Sequence, residues 1–383
     1  MIRVVYAIDA PYLGGAEHYV SRLATGLDRR EFAPALIMPT GGVDASLKAW
    51  AGGLESAGIP VVRVPMRLPF RAGDAIGIYR ALASFEPHIV HVNMPGPYTG
   101  QTGLLIPIAR AAGARVVVTE HLPMVERLWK RAAVKEWAVR FADAAVTMSH
   151  ANARLMVQNQ GYAAGRVQVV ENGVPSGYGM GGAVAGAPHD TAPETGIFTF
   201  GFVGNLIPHK GLRLLIEAVS TLVESWRLVV VGEGPDEADA RHIAMRRGVA
   251  DRVVFLGRRS PEDVERLIGA CDAIVLPSSV EGLPYVILEA MACAKPVVST
   301  KAFGIPEAVI DGVTGILVEP GDVAALSHAL HTLMTDARLC ARLGRAGRER
   351  FEAHFTLERQ IDAMSALYRG LATGRATRVG SSA

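Results

Sequence analysis

The sequence predicts an α/β protein built as two Rossmann-like, doubly wound domains facing a central cleft. Three observations carry this. Short apolar runs of buried-strand type alternate with helix-period segments along both halves of the chain, as in parallel sheets covered by helices. Each half opens on strand, glycine loop, helix: residues 2–8 lead into Gly14-Gly15-Ala16-Glu17, and residues 198–203 into the loop 204–211. Between the halves, residues 175–196 are rich in Gly, Ala, Pro, Ser and Thr and have no helical or strand period, which is a linker composition. The expected organisation is an N-terminal domain 1–174, a linker 175–196, a C-terminal domain 197–356, a last helix 357–372 and a disordered tail 373–383.

Composition narrows the class. The chain has 383 residues, 50% hydrophobic and 20% charged, enough for two cores. A formal net charge of +2 gives no strong field for nucleic acid, so no nucleic-acid partner is expected. The three cysteines, Cys271, Cys293 and Cys340, lack metal-ligand spacing and read as reduced thiols of a cytoplasmic protein; no metal site is expected. The apolar start is too short for a signal core, and no run of about 18 apolar residues predicts a membrane-spanning helix.

In the first half, 2–8 is a strand and 17–27 a helix. The glycine loop between them is either a plain tight turn or a place where backbone approaches an anion at a helix start. G-x-G-x-x-G is absent, which disfavours a nicotinamide or flavin dinucleotide. Strands follow at 35–38 and 61–64, then a helix at 75–85 ended by Pro87. The strand 89–92 carries His91, a packing residue by its position, and 93–98 is its exit loop. A helix at 103–112 contains Pro107. The strand 116–121 ends in His121, at the carboxyl end where ligands of doubly wound sheets collect. Residues 126–141 form a helix in which Arg127, Lys130, Arg131, Lys135 and Arg140 interleave with Leu128, Trp129, Val134, Trp137 and Val139. It is either a solvated surface helix or a contact with anionic lipid. Strands at 143–149 and 167–170 lead to the turn Asn172-Gly173-Val174.

In the second half, Lys210 stands at the entrance of the helix 212–222, as a point charge suited to phosphate. A strand at 227–231 runs into the loop from Gly232, and a strand at 253–256 into Gly257-Arg258. Ser260-Pro261-Glu262-Asp263 caps the helix 260–270. Then come a strand at 273–276, the loop Glu281-Gly282-Leu283-Pro284, a helix from about Pro284 to Cys293 and a strand at 296–300. Glu281 and Glu289 are eight residues apart, roughly 12 Å if the path were helical throughout. That is too far for an acid–base dyad on one bond. It suits one extended ligand gripped at two places, with helix-start amides between them for a phosphate. The alternative is a solvated Glu281 and a Glu289 in a structural ion pair. A strand at 316–318 and helices at 323–334, 337–355 and 357–372 complete the chain.

The run PSSVEGLPYVILEAMACAKPVVST resembles the signature of the retaining family-4 glycosyltransferases of GT-B fold, the glycosyl transferases group 1. The GGAE word at 14–17, T-x-H at 119–121, NGV at 172–174 and K-G at 210–211 agree, so the resemblance covers nearly the whole chain. It implies a metal-independent, retaining hexosyltransferase. Such an enzyme moves sugar from a UDP- or GDP-linked donor, a co-substrate with no further cofactor, to a hydroxyl of a sugar or lipid-linked acceptor. Polysaccharide, lipopolysaccharide or glycolipid assembly is the implied setting, in the cytoplasm or at the inner membrane face, with an anionic membrane surface as a further partner.

By the same resemblance, the first domain is the acceptor side, the second binds the nucleotide sugar, and the last helix crosses back onto the first. Glu281, His121 and Lys210 are the implied catalytic residues. Gly14, Gly15, Ala16, Asn205, Lys210, Gly232, Arg258, Glu281, Gly282, Leu283, Pro284 and Glu289 are the implied donor-binding residues. Glu281 would contact the sugar, Glu289 the ribose, and the Gly14–Ala16 loop and Lys210 the diphosphate. Two positions depart from the family pattern. Asn205 stands where an arginine is expected, with Arg213 a candidate to compensate, and Phe303-Gly304 stands where the family has Gly-Gly. Other readings keep the fold and change the role: a sugar-nucleotide epimerase, a glycosyl phosphorylase, or a silent nucleotide-sugar-binding protein, the last supported by Asn205.

Overall fold

The computed structural model describes residues 1–10, 13–64, 72–94, 96, 102–122, 129–180 and 196–374. The chain divides into two compact units, Met1–Glu171 with Glu358–Ala383, and Asn172–Leu357.

The first unit is built on strands β1 (Ile2–Ala7), β2 (Phe32–Pro39), β3 (Val61–Val64), β4 (Ile89–Met94), β5 (Arg115–Glu120), β6 (Ala144–Thr147) and β7 (Val167–Val169). They pair in parallel in the order β3-β2-β1-β4-β5-β6-β7. The helices are α1 (Gly15–Gly26), α2 (Ala45–Ser56), α3 (Ala72–Phe85), α4 (Thr102–Ala111), α5 (Trp129–Val139) and α6 (His150–Asn159). With helices over its faces a central parallel strand is buried on both sides. That is why β1, β4 and β5 read as unbroken apolar runs, with Val4, Val5, Tyr6, Val90, Val92 and Val116 to Val118 all buried. The sequence reading passed over α2 and α6. Each has a start signal, Asp44 and Ser149, whose side chains accept the amides of Leu47 and Asn152.

The second unit carries β8 (Phe198–Val203), β9 (Trp226–Val231), β10 (Val253–Phe255), β11 (Ala273–Leu276), β12 (Val297–Thr300) and β13 (Gly315–Val318), paired in parallel as β10-β9-β8-β11-β12-β13. Its helices are α7 (Leu212–Val219), α8 (Glu237–Arg246), α9 (Pro261–Ala270), α10 (Tyr285–Ala292), the single turn α11 (Ile305–Ala308), α12 (Val323–Thr335) and α13 (Ala337–His354). The last helix, α14 (Leu357–Ala372), belongs to the first unit. It buries Met364, Leu367 and Tyr368 there, and Arg369 grips Glu31 with two bonds of 2.7 Å.

Both sheets reverse direction after their first strand: β1 lies between β2 and β4, and β8 between β9 and β11. The carboxyl ends of those central strands are the crevices where open α/β sheets bind ligands.

The chain passes between units at 171/172 and 357/358, not along 175–196. Residues 175–180 are pinned to the second unit. Arg348 donates to the carbonyls of Tyr178 (2.8 Å) and Ser176 (3.3 Å), and Glu265 accepts the Gly179 amide (2.7 Å). The Pro and Gly content expected of a linker serves tight turns there, Tyr178 to Pro175 and Met180 to Gly177. Residues 181–195, and 375–383 of the expected tail, lie outside the described residues. Val174 pairs with Thr356, through the amide of Val174 to Phe355 (3.0 Å) and of Leu357 to Val174 (2.8 Å). Among the described residues no helix is long and apolar enough to cross a membrane.

Candidate functional site

In the second unit, the loops after β8, β9, β10 and β11 lie side by side at the carboxyl edge, and backbone bonds stitch them together. The amide of Gly204 reaches Val231, that of Leu206 reaches Glu233, that of Gly232 reaches Gly257 and that of Ser279 reaches His209, all between 2.8 and 3.0 Å. Two glycines are required by this packing. A Cβ on Gly232, at φ 132°, would lie 1.9 Å from the Gly204 carbonyl oxygen; one on Gly211, at φ 78°, would lie 2.2 Å from that of Pro277. Gly211 ends the turn Pro208–Lys210 and caps α7, and this turn presents Lys210.

Lys210 Nζ lies 2.6 Å from Glu281 Oε1, and Ser278 Oγ donates to the same oxygen at 2.7 Å. Glu281 is 6% exposed. Its second oxygen has no protein hydrogen-bond partner among the described residues. The pair sits at the switch point between β8 and β11. Ser278 is itself fixed, its carbonyl accepting from Thr300 at the end of β12. Burial, with the neighbouring Lys210 charge, lowers the His209 pKa. After Glu281 the chain passes through buried Gly282 and Leu283 to Pro284, which caps α10 in extended conformation (φ −71°, ψ 130°) instead of standing inside the helix. Asn172 Nδ2 holds the Leu283 carbonyl at 2.7 Å. Glu289 is half-buried on the second turn of α10.

In the first unit, His121 follows β5 directly. Its amide bonds to the Met94 carbonyl (3.1 Å), its Nε2 lies 3.3 Å from Asn93 Oδ1, and the Tyr19 ring meets it edge-on at 4.9 Å. Burial pushes its pKa well below the usual 6.5. His91 is fully enclosed between Tyr368 (2.6 Å) and Thr119 (2.5 Å), and burial lowers its pKa to about 3. At the β1 crevice, Gly14 caps α1 and Glu17 Oε2 accepts its amide at 2.8 Å. Burial pushes the Glu17 carboxyl up to about 7. A hollow of about 430 Å³ lined by Arg3, His88 and Arg115 lies at the amino ends of β1, β4 and β5, away from these residues; Arg3 is paired there with Glu86 and Arg115 with Asp143. Among the described residues no group of three His, Cys, Asp or Glu side chains could hold a metal ion.

The family model for glycosyl transferases group 1 matches residues 189–350, and that for glycosyltransferase family 4 matches residues 13–177. The chain belongs to the group 1, family-4 glycosyltransferases. It is 33% identical over 247 residues to the D-inositol 3-phosphate glycosyltransferase of Stackebrandtia nassauensis, covering 61% of this chain and 55% of that one. To the 2-deoxystreptamine glucosyltransferase of Streptomyces kanamyceticus it is 29% identical over 250 residues, covering 62% and 63%. The matched stretch spans about half the length of the first curated relatives, 49% and 55%. The structure of Anabaena HepE in complex with UDP-glucose is similar with a TM-score of 0.82 at 22% identity, over 97% of this chain and 100% of that one. The fold is the two-domain GT-B class.

Of the residues the family-4 glycosyltransferase pattern implies, Lys210, Glu281, Gly282, Leu283 and Pro284 lie at the entry to α10, and Glu289 lies on its second turn. Asn205 is half-buried on the neighbouring loop. Arg258 lies at the end of the β10 segment, its amide 3.4 Å from a Glu233 carboxylate oxygen and its Nε 3.9 Å from the other. Gly232 has a packing role, given its contact with Gly204. Gly14, Gly15, Ala16 and His121 fall in the first unit. The Gly14 amide is held by Glu17; Gly15 and Ala16 begin the first turn of α1, Gly15 exposed and Ala16 buried. Arg213 does not stand free to replace the missing arginine, because it pairs with Asp236 (3.1 Å) and Asp239 (3.2 Å). Phe303, where the family has glycine, takes φ 45°, which costs about 1 kcal/mol for an L-residue. Sequence reading missed three contributors. Glu17 was signalled by the G-x-x-E capping-box spacing. Asn93 acts on a partner distant in sequence and nothing local marks it; Asn172 was legible as the first residue of a turn word, but its hold on Leu283, 111 residues away, was not.

Proposed function

We propose that this glycosyltransferase moves a sugar from a nucleotide-diphosphate sugar to a hydroxyl acceptor with retention of anomeric configuration. The observation that carries the reading is the Lys210–Glu281–Ser278 cluster at the β8/β11 switch point, beside the start of α10. In the transfer, the bond from the anomeric carbon to the diphosphate breaks, a bond to the acceptor oxygen forms on the same face, and the acceptor proton passes to the leaving phosphate oxygen. The difficult part is the growing diphosphate charge. Lys210 would exchange Glu281 for that charge, assisted by amides at the α10 start and its dipole, so no metal is required. Glu281 then accepts from sugar hydroxyls, and Glu289 from the ribose diol, since an ionised carboxylate only accepts. The likeness to a fold solved with UDP-glucose is consistent with this donor class. The test is a panel of UDP- and GDP-sugars with sugar and lipid-linked acceptors in a chelator, the product's anomeric configuration being read by NMR. Transfer with retention supports the reading. An inverted product, donor epimerisation without acceptor, or strict phosphate dependence contradicts it.

For the acceptor, we infer a lipid-linked molecule met at the inner membrane face during polysaccharide, lipopolysaccharide or glycolipid assembly. The support is the exposed apolar stripe Val134, Trp137 and Phe141, with Trp137 and Phe141 in edge contact and Arg140 exposed beside them. Lys135, counted in the sequence among the basic residues of this helix, is buried against Glu120 (2.7 Å) and Gln160 (2.9 Å), so it adds no exposed charge. Co-sedimentation with anionic vesicles, lost in Trp137→Ala, checks this.

A further inference from the structure

We infer that Asn93 fixes His121 in the tautomer protonated on Nε2, so that its Nδ1 lone pair meets a substrate hydroxyl and not a phosphate. The substrate half of this rests on the proposed sugar transfer; the tautomer does not.

Asn93 is fully buried at the end of β4. Its amide orientation is set by His91, whose backbone carbonyl accepts from Asn93 Nδ2 at 3.2 Å. Turning the amide over would face two carbonyl oxygens toward each other. Oδ1 therefore points to His121, 3.3 Å from Nε2. A carbonyl oxygen only accepts, so Nε2 carries the hydrogen. The ring cannot swing away easily. Its backbone is tied to Met94, and Tyr19 from α1 stands edge-on to it. Among the described residues, the groups facing it are Tyr19 from α1 and His91 and Asn93 from β4, and burial with the nearby His121 keeps His91 neutral. Burial does the same for His121. A neutral imidazole with its one N–H committed has only a lone pair to offer. A hydroxyl can donate to that lone pair, whereas an ionised phosphate oxygen has no proton to give.

The hydroxyl belongs either to the donor sugar or to the acceptor. Asn93 is thus a positioning residue for His121, and the two Asn93 bonds form a rule that glutamine or leucine at that position would not reproduce.

The test uses the full chain labelled with ¹⁵N-histidine at pH 7 without substrate, the His121 signals being assigned with His121→Gln. The expected result is a single neutral tautomer with the proton on Nε2, turning into a mixture in Asn93→Ala. A proton on Nδ1, or an imidazolium, in the wild-type protein overturns the inference even if Asn93→Ala does not fold. Because it is read without substrate, this outcome is separate from that of the sugar-transfer assay. In the kinetic arm, Asn93→Ala lowers kcat/KM at least fivefold, and deoxy donors or deoxy acceptors that no longer distinguish wild type from His121→Leu identify which hydroxyl is read. Full activity in Asn93→Ala with a mixed tautomer overturns the presenting role.

Discussion

Lys210 and Glu281 meet at 2.6 Å across the point where the second sheet reverses its strand order, with Ser278 on the same carboxylate oxygen. Each holds the other in place, and in the proposed transfer the donor diphosphate takes over the ammonium. Lys210→Ala and Glu281→Gln should each lower turnover at least tenfold, about 1.4 kcal/mol of transition-state stabilisation. Steady-state kinetics with the best donor checks this.

Asn172 connects the turn at the head of the second unit to the Leu283 carbonyl just before α10. Removing it as Asn172→Ala should weaken donor binding about fivefold, the effect of one hydrogen bond of about 1 kcal/mol. Calorimetric titration measures it, with melting temperature as the control for folding.

Glu17 supplies a pH dependence. Its folded pKa is raised, from the ordinary 4.5 to about 7, because burial disfavours the carboxylate. Stability from this group is complete below pH 4.5 and is lost as pH rises through 7, a span of about 3 kcal/mol. Glu17→Gln keeps an acceptor for the Gly14 amide and has no titration. The wild-type minus variant stability difference should therefore slope downward between pH 4.5 and 7 and be flat outside that range. Denaturant unfolding across pH reads it.

The glycines separate by environment. Gly211→Ala would press a Cβ against the Pro277 carbonyl and strain a left-handed residue next to Lys210. A loss of about 2–4 kcal/mol is expected. Gly52→Ala, inside α2 with open space around it, should gain about 1 kcal/mol. Thermal unfolding of both variants checks the contrast.

Sequence was most informative where a short stretch carries its own geometry. The strand runs β1, β4, β5, β8 and β11 are legible because both faces are covered, and the Glu281–Pro284 loop because a strand end and a helix start bracket it. The last helix was placed at 357–372, matching α14. Residues 175–180 read as linker because Gly and Pro mark turns wherever they occur, and the bonds of Arg348 and Glu265 show that they are fastened down. Arg213 was put forward as a spare cation, but Asp236 and Asp239 lie on another helix start that no local pattern ties to it. Asn93 and His91 depend on neighbours across the sheet, and pairing register is a property of the folded sheet.

The most direct test of the central claim is the melting temperature with and without a panel of nucleotide-diphosphate sugars, for wild type and Lys210→Ala. A ligand that binds only the folded state raises it. At least one UDP- or GDP-sugar should stabilise the wild-type protein, and the shift should largely vanish in Lys210→Ala. No shift with any donor, or an equal shift in both proteins, would contradict the assignment of this site.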